Sequence, residues 1–231
     1  MKKKVIASML ALSMIAGTSS AVFAAENTTA EMADASDVDG TTISFWHSMG
    51  GVNGEALDTL VKQFNEENEY GITVDAQYQG EYDDSLNKLK SAQIGNMGAD
   101  LVQVYEIGTR FMIDSGWIVP MQEMIDGDGY DLSQIEPNLA AYYTIDNELY
   151  SMPFNSSTPI LYYNKDMFEK AGITEVPDSL EGIGEIGQQL LDNGGAGEAM
   201  SMGIYGWFFE QLISKQGLEY ANNGNGRKEA A

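Results

Sequence analysis

The sequence has 231 residues, with 12 basic and 35 acidic side chains, one histidine and no cysteine, for a formal net charge of −23. So acidic a surface repels nucleic acid and anionic membranes and argues against both as partners, though backbone N–H groups and local dipoles can still hold an anionic ligand. Without cysteine there are no disulfides and no thiol chemistry, so the fold rests on its core, which 43% hydrophobic content can supply.

Lys2 to Lys4, the largely apolar run from Val5 to Gly17 and Val22-Phe23-Ala24 have the three-part form of a secretory signal peptide, residues 1–25, cleaved after Ala24 or Ala25. The apolar run is too short to span a bilayer, and no cysteine follows it to carry a lipid. The expected product is therefore secreted, periplasmic or extracytoplasmic, and not lipid-anchored. It keeps nine basic against 35 acidic residues, a net charge of −26. Residues 26–40 are acidic, rich in Ala, Thr and Asp and aperiodic, and read as a disordered leader.

Thr42 to Trp46 reads as a first strand, followed by His47-Ser48-Met49-Gly50-Gly51. A helix is expected from about Gly54, N-capped by Asn53, with Leu57, Leu60, Val61 and Phe64 as its sheet-facing stripe. Asn65 to Tyr70 is the turn, and Ile72, Val74, Ala76 and Tyr78 alternate as a second strand. Gly80 to Asp84 opens a second helix carrying Leu86, Leu89 and Ala92, Gly95 to Gly98 stops it, and Ala99 to Tyr105 is expected as a third strand. Strand, helix, strand, helix, strand at these spacings is the pattern of a parallel α/β sheet. Such sheets bind ligands beyond the carboxyl ends of their strands, which nominates Trp46–Gly51, Tyr78–Tyr82 and Tyr105–Gly108.

Glu106 to Trp117 reads as a short helix closed by Gly116, and Met121 to Ile125 as another turn of helix. The acidic run from Asp126 to Asp131 is not a calcium loop: Asp131 stands where an EF-hand needs glycine and Pro137 where it needs glutamate. In the stretch from Ser151 to Lys165, Pro153 and Pro159 bias Met152 and Thr158 to extended geometry, and Asn155 to Thr158 line up an amide and three hydroxyls. Ile160 to Tyr163 then reads as a buried strand. This suits a segment that crosses between two lobes and offers hydroxyls to a small ligand, and it equally suits an ordinary loop entering a strand. Helices are expected over Asn164 to Ala171 and Leu180 to Leu191, with an aromatic turn opening another from Tyr205 to Leu212 and a polar turn at Asn222 to Gly226. The second half has too few strands to complete a sheet.

One histidine and no cysteine rule out a His/Cys metal site or a Cys–His nucleophile within this chain. Glu106 could serve as a general acid, hydrogen-bond a polyol or cap the following helix. His47 suits packing or a hydrogen bond beside the ligand loop. Tyr82 and Trp207 are core aromatics or platforms for the apolar face of a ligand.

Three segments, Phe45-Trp46-His47-Ser48-Met49, Gln103 to Thr109 and Pro153 to Lys165, together resemble the glycerol-3-phosphate-binding proteins, the extracellular solute receptors of ABC importers. The resemblance runs from about Ile43 to Gly226. It implies an α/β, periplasmic-binding-protein-like two-lobed fold, with one lobe nearly complete at 41–157 and the second, at 158–231, truncated. It further implies that glycerol-3-phosphate or a glycerophosphodiester is bound in an interlobe cleft and delivered to the membrane permease of an ABC transporter. By position, Tyr82 and Ser157 match the family's phosphate-side residues and Glu106 its glycerol-binding carboxylate. Trp207 matches one of two glycerol-packing tryptophans, while the other falls on Ile204. The family is about twice this length, and its late phosphate-site residues have no counterpart here. The implied protein is a monomeric binding module, not an enzyme, with no cofactor and no metal. An oligosaccharide receptor of the same fold is one alternative. A secreted glycosidase using Glu106 is another, and it would need a second carboxylate about 5–10 Å away.

Overall fold

A computed structural model of the chain describes residues 38–95, 97–203 and 206–229. The signal peptide, residues 26–37 of the leader and Ile204 lie outside the described residues. The described residues form two compact units, one within 38–155 together with 221–229 and the other within 156–220.

The first unit is built on a parallel three-stranded sheet. Its strands are β1 (Thr42–His47), β2 (Thr73–Tyr78) and β3 (Leu101–Val102), in the order β2-β1-β3. Helix α1 (Gly51–Glu67) links β1 to β2, and α2 (Tyr82–Ile94) carries the chain from β2 across to β3. This is the parallel α/β arrangement expected from the alternation of strand and helix patterns. Ile43, Phe45 and His47 point from the central strand into buried surroundings. Phe45 packs with Leu57 and Val74, with Val61 and Phe64 against them, and Ile43 packs with Ile72 and Val38.

Three local expectations are corrected. Helix α1 begins at Gly51, after Gly50, and has no side-chain cap, so Asn53 lies inside its first turn. Leu60 is exposed. Successive helical residues point about 100° apart, so the face that seats Leu57, Val61 and Phe64 turns Leu60 to its edge. The leader does not extend to residue 40. Val38 is buried, and the Thr41 and Gly40 N–H groups donate to the Val38 and Gly71 carbonyls at 3.1 and 3.2 Å. An apolar side chain that caps the Ile43–Ile72 pair is worth burying, and that contact was not legible from composition.

The turn after α1 is held by side-chain amides. Asn68 Nδ2 donates to the Phe64 and Ile72 carbonyls at 2.9 and 2.8 Å, and its Oδ1 accepts from the Ile72 N–H at 3.0 Å. Asn65 bonds both backbone groups of Val74, at 3.0 and 2.7 Å.

The third strand has only two residues, against the seven expected from Ala99 to Tyr105. Side chains explain the shortening. The Asp100 carboxylate accepts from the Ser44 N–H at 2.9 Å and its hydroxyl at 2.7 Å. Past Val102, the Gln103 N–H still donates to the Trp46 carbonyl at 2.9 Å, but the Ser48 N–H goes to the Gln103 side chain at 3.0 Å. On both flanks a side chain takes the donor that a longer ladder would have used.

A 3-10 turn (Glu106–Gly108) leads into α3 (Thr109–Ser115), which ends on Gly116 in the left-handed region, followed by α4 (Met121–Asp128). Asp131 caps a 3-10 turn at Leu132–Gln134 through the Ser133 N–H. Helix α5 (Pro137–Tyr143) runs into a hairpin of β4 (Thr144–Ile145) and β5 (Glu148–Leu149). Its two-residue loop, Asp146-Asn147, has positive φ at both positions, as a primed turn requires. The chain returns to this unit at α9 (Asn222–Asn225). Beyond it, Arg227 Nη2 donates to the carbonyls of Ala141, Tyr142 and Thr144 at the end of α5.

In the second unit, α6 (Lys165–Ala171) is capped by the Asn164 side chain, and α7 (Leu180–Gln189) by Ser179. Helix α7 continues into a π-turn over Leu190–Gly194 that packs on α6, and α8 spans Gly206–Ser214. A Cβ at Gly194 would stand 2.9 Å from the Met167 carbonyl oxygen, so glycine sets that close approach. Ile160 to Tyr163 do not form the expected buried strand: they lie outside any strand, and all four are exposed. Among the described residues this unit contains no strand, so the segment has no ladder to join. The boundary between units falls at Asn155–Ser156, and residues 221–229 belong with the first unit, whereas the sequence suggested 157 and a second lobe running to 231.

Candidate functional site

Three loops leave the carboxyl ends of the sheet, and the first is the most tightly built. His47 is buried, flanked by the rings of Phe45 (5.6 Å) and Tyr78 (5.9 Å), and its Nδ1 accepts from the Met49 N–H at 3.3 Å. An accepting Nδ1 requires the neutral imidazole protonated at Nε2. Burial accordingly pulls its pKa below 6.5, with Asp58 opposing. Next to it the buried Gln103 joins two segments: its Oε1 accepts from the Ser48 N–H, and its Nε2 donates to Asn155 Oδ1 at 3.1 Å. Phe154, in edge contact with Phe45 at 6.0 Å, anchors the same stretch. Gln103 was missed at the level of sequence because a glutamine in a strand-like run carries no pattern of its own.

The second loop delivers Tyr82 as the first residue of α2. Its ring stacks on Tyr105, with centroids 5.3 Å apart and planes within 7°. Tyr105 in turn donates to Asp83 at 2.5 Å. The second and third loops are thereby locked together. Lys88 Nζ pins the chain before Tyr82 by donating to the Gln79 carbonyl at 2.7 Å.

The third loop presents Glu106, half-buried, at the opening of the 3-10 turn that follows Tyr105. It stands four residues beyond the end of β3 rather than at a strand terminus. Tyr143, the last residue of α5, lies within electrostatic reach of Glu106 and Tyr82. Burial first, and then the charges of those two groups, raise its phenol above the usual 10, so it is a neutral donor at physiological pH. Among the described residues the Tyr82 hydroxyl, the Glu106 carboxylate and the Tyr143 hydroxyl make no hydrogen bond.

The first unit places Tyr82 and Glu106 on two loops that the Tyr82–Tyr105 stack links. Ser157 and Trp207 belong to the second unit and lie on different elements of it. Ser157 is exposed in the irregular stretch before α6, and Trp207 is half-buried on α8, with its ring 5.6 Å from that of Phe208. Among the described residues no group of three or more His, Cys, Asp or Glu could hold a metal ion, and no helix is long and apolar enough to cross a membrane.

Residues 50–231 match the family described as bacterial extracellular solute-binding protein. The sn-glycerol-3-phosphate-binding periplasmic proteins UgpB of Escherichia coli K12 and Salmonella typhimurium LT2 are each 38% identical over 195 residues, or 80% of this chain. The chain spans 44% of the length of these relatives. Among solved structures, UgpB from Mycobacterium tuberculosis in complex with glycerophosphocholine is 27% identical, with a TM-score of 0.60 over 65% of this chain and 38% of that one. A Listeria monocytogenes ABC substrate-binding protein in complex with cycloalternan has a TM-score of 0.62 at 20% identity, over 80% and 47% of the two chains, a likeness of fold alone.

Proposed function

Since this chain belongs to the bacterial extracellular solute-binding proteins, we propose that it is the solute-binding part of an ABC importer that takes up glycerol-3-phosphate or a glycerophosphodiester. Its fold is that of the two-lobed periplasmic binding proteins, over less than half of their length. The observation that carries the proposal is the pairing of Tyr82 with Glu106 at the carboxyl ends of a parallel sheet. The stack of Tyr82 on Tyr105 ties their loops together next to Glu106, and neither the Tyr82 hydroxyl nor the Glu106 carboxylate has a hydrogen-bond partner among the described residues. Half-buried polar groups left unpaired cost free energy that a ligand recovers when it satisfies them.

In this reading the Tyr82 and Ser157 hydroxyls donate to the phosphate, Glu106 accepts from the glycerol hydroxyls, and Trp207 covers the carbon face. The chain binds and releases without chemistry, hands its ligand to membrane permease subunits, and works outside the cytoplasm as a monomer. The identity with the glycerol-3-phosphate-binding relatives supports the ligand class. The test is calorimetry on the full-length gene product with glycerol-3-phosphate, glycerophosphocholine and maltose. Loss of one hydrogen bond to a charged phosphate is worth about 1.5–3 kcal/mol, so Tyr82→Phe and Ser157→Ala should each weaken glycerol-3-phosphate about 10–150-fold. Glu106→Gln should alter discrimination among polyols more than phosphate recognition. Tight maltose binding that ignores Tyr82 and Ser157 would replace this reading with that of a sugar receptor.

A further inference from the structure

Tyr105 is gripped from three directions. Its ring lies against that of Tyr82, with centroids 5.3 Å apart and planes within 7°. Its hydroxyl donates to Asp83 Oδ1 at 2.5 Å, so two successive side chains of α2 hold the one tyrosine. Its carbonyl accepts from the Gly108 N–H at 2.9 Å, which closes the 3-10 turn that starts at Glu106. Gly108 is buried, and a Cβ there would stand 2.6 Å from Val104 Cγ1 and 3.5 Å from two carbons of the Tyr105 ring. Glycine is what lets the turn close this near the Val104 and Tyr105 side chains.

Helix geometry gives the reason Tyr82 needs this support. A helical side chain leans back over the turn that precedes its own Cα, and that turn usually seats it. Tyr82 opens α2, so no helical turn precedes it, and the N-cap residue Glu81 makes no side-chain cap bond. The flat face of Tyr105 stands in for the missing turn. A ring seated before the ligand arrives need not be ordered during binding, and ordering one such side chain costs about 2–12-fold in affinity. Resting on the function proposed above, we propose that Tyr105 is a positioning residue for the ligand site: through the ring stack and the bond to Asp83 it holds the Tyr82 hydroxyl in the direction from which it donates to the phosphate.

The experiment is a double-mutant cycle read by calorimetry with glycerol-3-phosphate on the full-length gene product. Tyr105→Leu removes the flat face and should weaken binding about 2–12-fold when Tyr82 is present. In a Tyr82→Phe background the same change should cost nothing more, because the hydroxyl that Tyr105 aims is gone. Tyr105→Phe keeps the face and should recover most of the affinity. An equal loss in both backgrounds would mark Tyr105 as merely structural and overturn the inference. So would a Tyr105→Leu variant that binds like the parent while Tyr82→Phe still weakens the ligand, and in that case the ligand reading stands. If the parent fails to bind glycerol-3-phosphate, or Tyr82→Phe leaves its affinity unchanged, the reading falls and the inference with it. Should Tyr105→Leu not fold, 3-fluorotyrosine at position 82 of the otherwise unaltered protein decides. Its fluorine line should be as broad without ligand as with it, the mark of a ring already seated. A narrow line that broadens only when glycerol-3-phosphate is added would overturn the inference.

Discussion

Replacing Gln103 with leucine should loosen the first loop beyond the sheet without disturbing the strands themselves. The side chain makes two bonds, one from the buried Ser48 N–H at 3.0 Å and one to Asn155 Oδ1 at 3.1 Å. Leucine keeps the volume but strands the Ser48 N–H in a buried position, at about 1–3 kcal/mol, and removes the partly exposed bond to Asn155, at about 0.5–1 kcal/mol. The total is about 1.5–4 kcal/mol, or roughly a 10–900-fold shift in the folding equilibrium. Trp46 and Trp117 lie in the first unit and Trp207 in the second, so a Trp207→Phe background lets fluorescence follow the first unit alone. Urea titration in that background should show an earlier midpoint with an unchanged slope. A double-mutant cycle with Asn155→Ala should return a coupling of about 0.5–1 kcal/mol. A midpoint that moves by less than the equivalent of about 0.5 kcal/mol would refute the reasoning, since surface changes reach that size without any buried bond at stake.

His47 should make the first unit sensitive to mild acid. Its pKa is lowered in the fold by burial, so below about pH 6.5 the unfolded chain binds the proton more readily. Stability is therefore complete above that pH and declines as pH falls toward the folded-state value. As the only histidine it dominates the interval between pH 5 and 6.5, and His47→Asn should flatten the slope of unfolding free energy there; a slope that persists counts against it. Hydrogen exchange should divide the chain. The second unit buries only Ala171, Gly187, Leu190 and Gly194 among its described residues, so amides from 156 to 220 should exchange much faster than those of β1, β2 and α1. Uniformly slow exchange through residue 220 would contradict this.

Local pattern alone determined the parallel βαβαβ order of the first unit. A strand alternates with a period of two and a helix recurs at 3.6, and those signals are strong over Thr42–Tyr78 and Tyr82–Ile94. The loops beyond the strand ends followed from that topology, and with them Tyr82 and Glu106. The family motifs, read with those loops, pointed to the solute-binding class. Tertiary structure decided what depends on partners distant in sequence. Asp100 and Gln103 cut the third strand short by claiming Ser44 and Ser48, more than 50 residues away. Val38 became core only because Ile43 and Ile72 meet beneath it, and Ile160 to Tyr163, strand-like in composition, stayed exposed for want of a neighbouring strand. Tyr143 carries no motif. Its place is set by Arg227, 84 positions later, which clasps the carbonyls on either side of it. Side-chain periodicity is written locally, whereas hydrogen bonds between residues distant in sequence are a property of three-dimensional packing, and no short window of residues contains them.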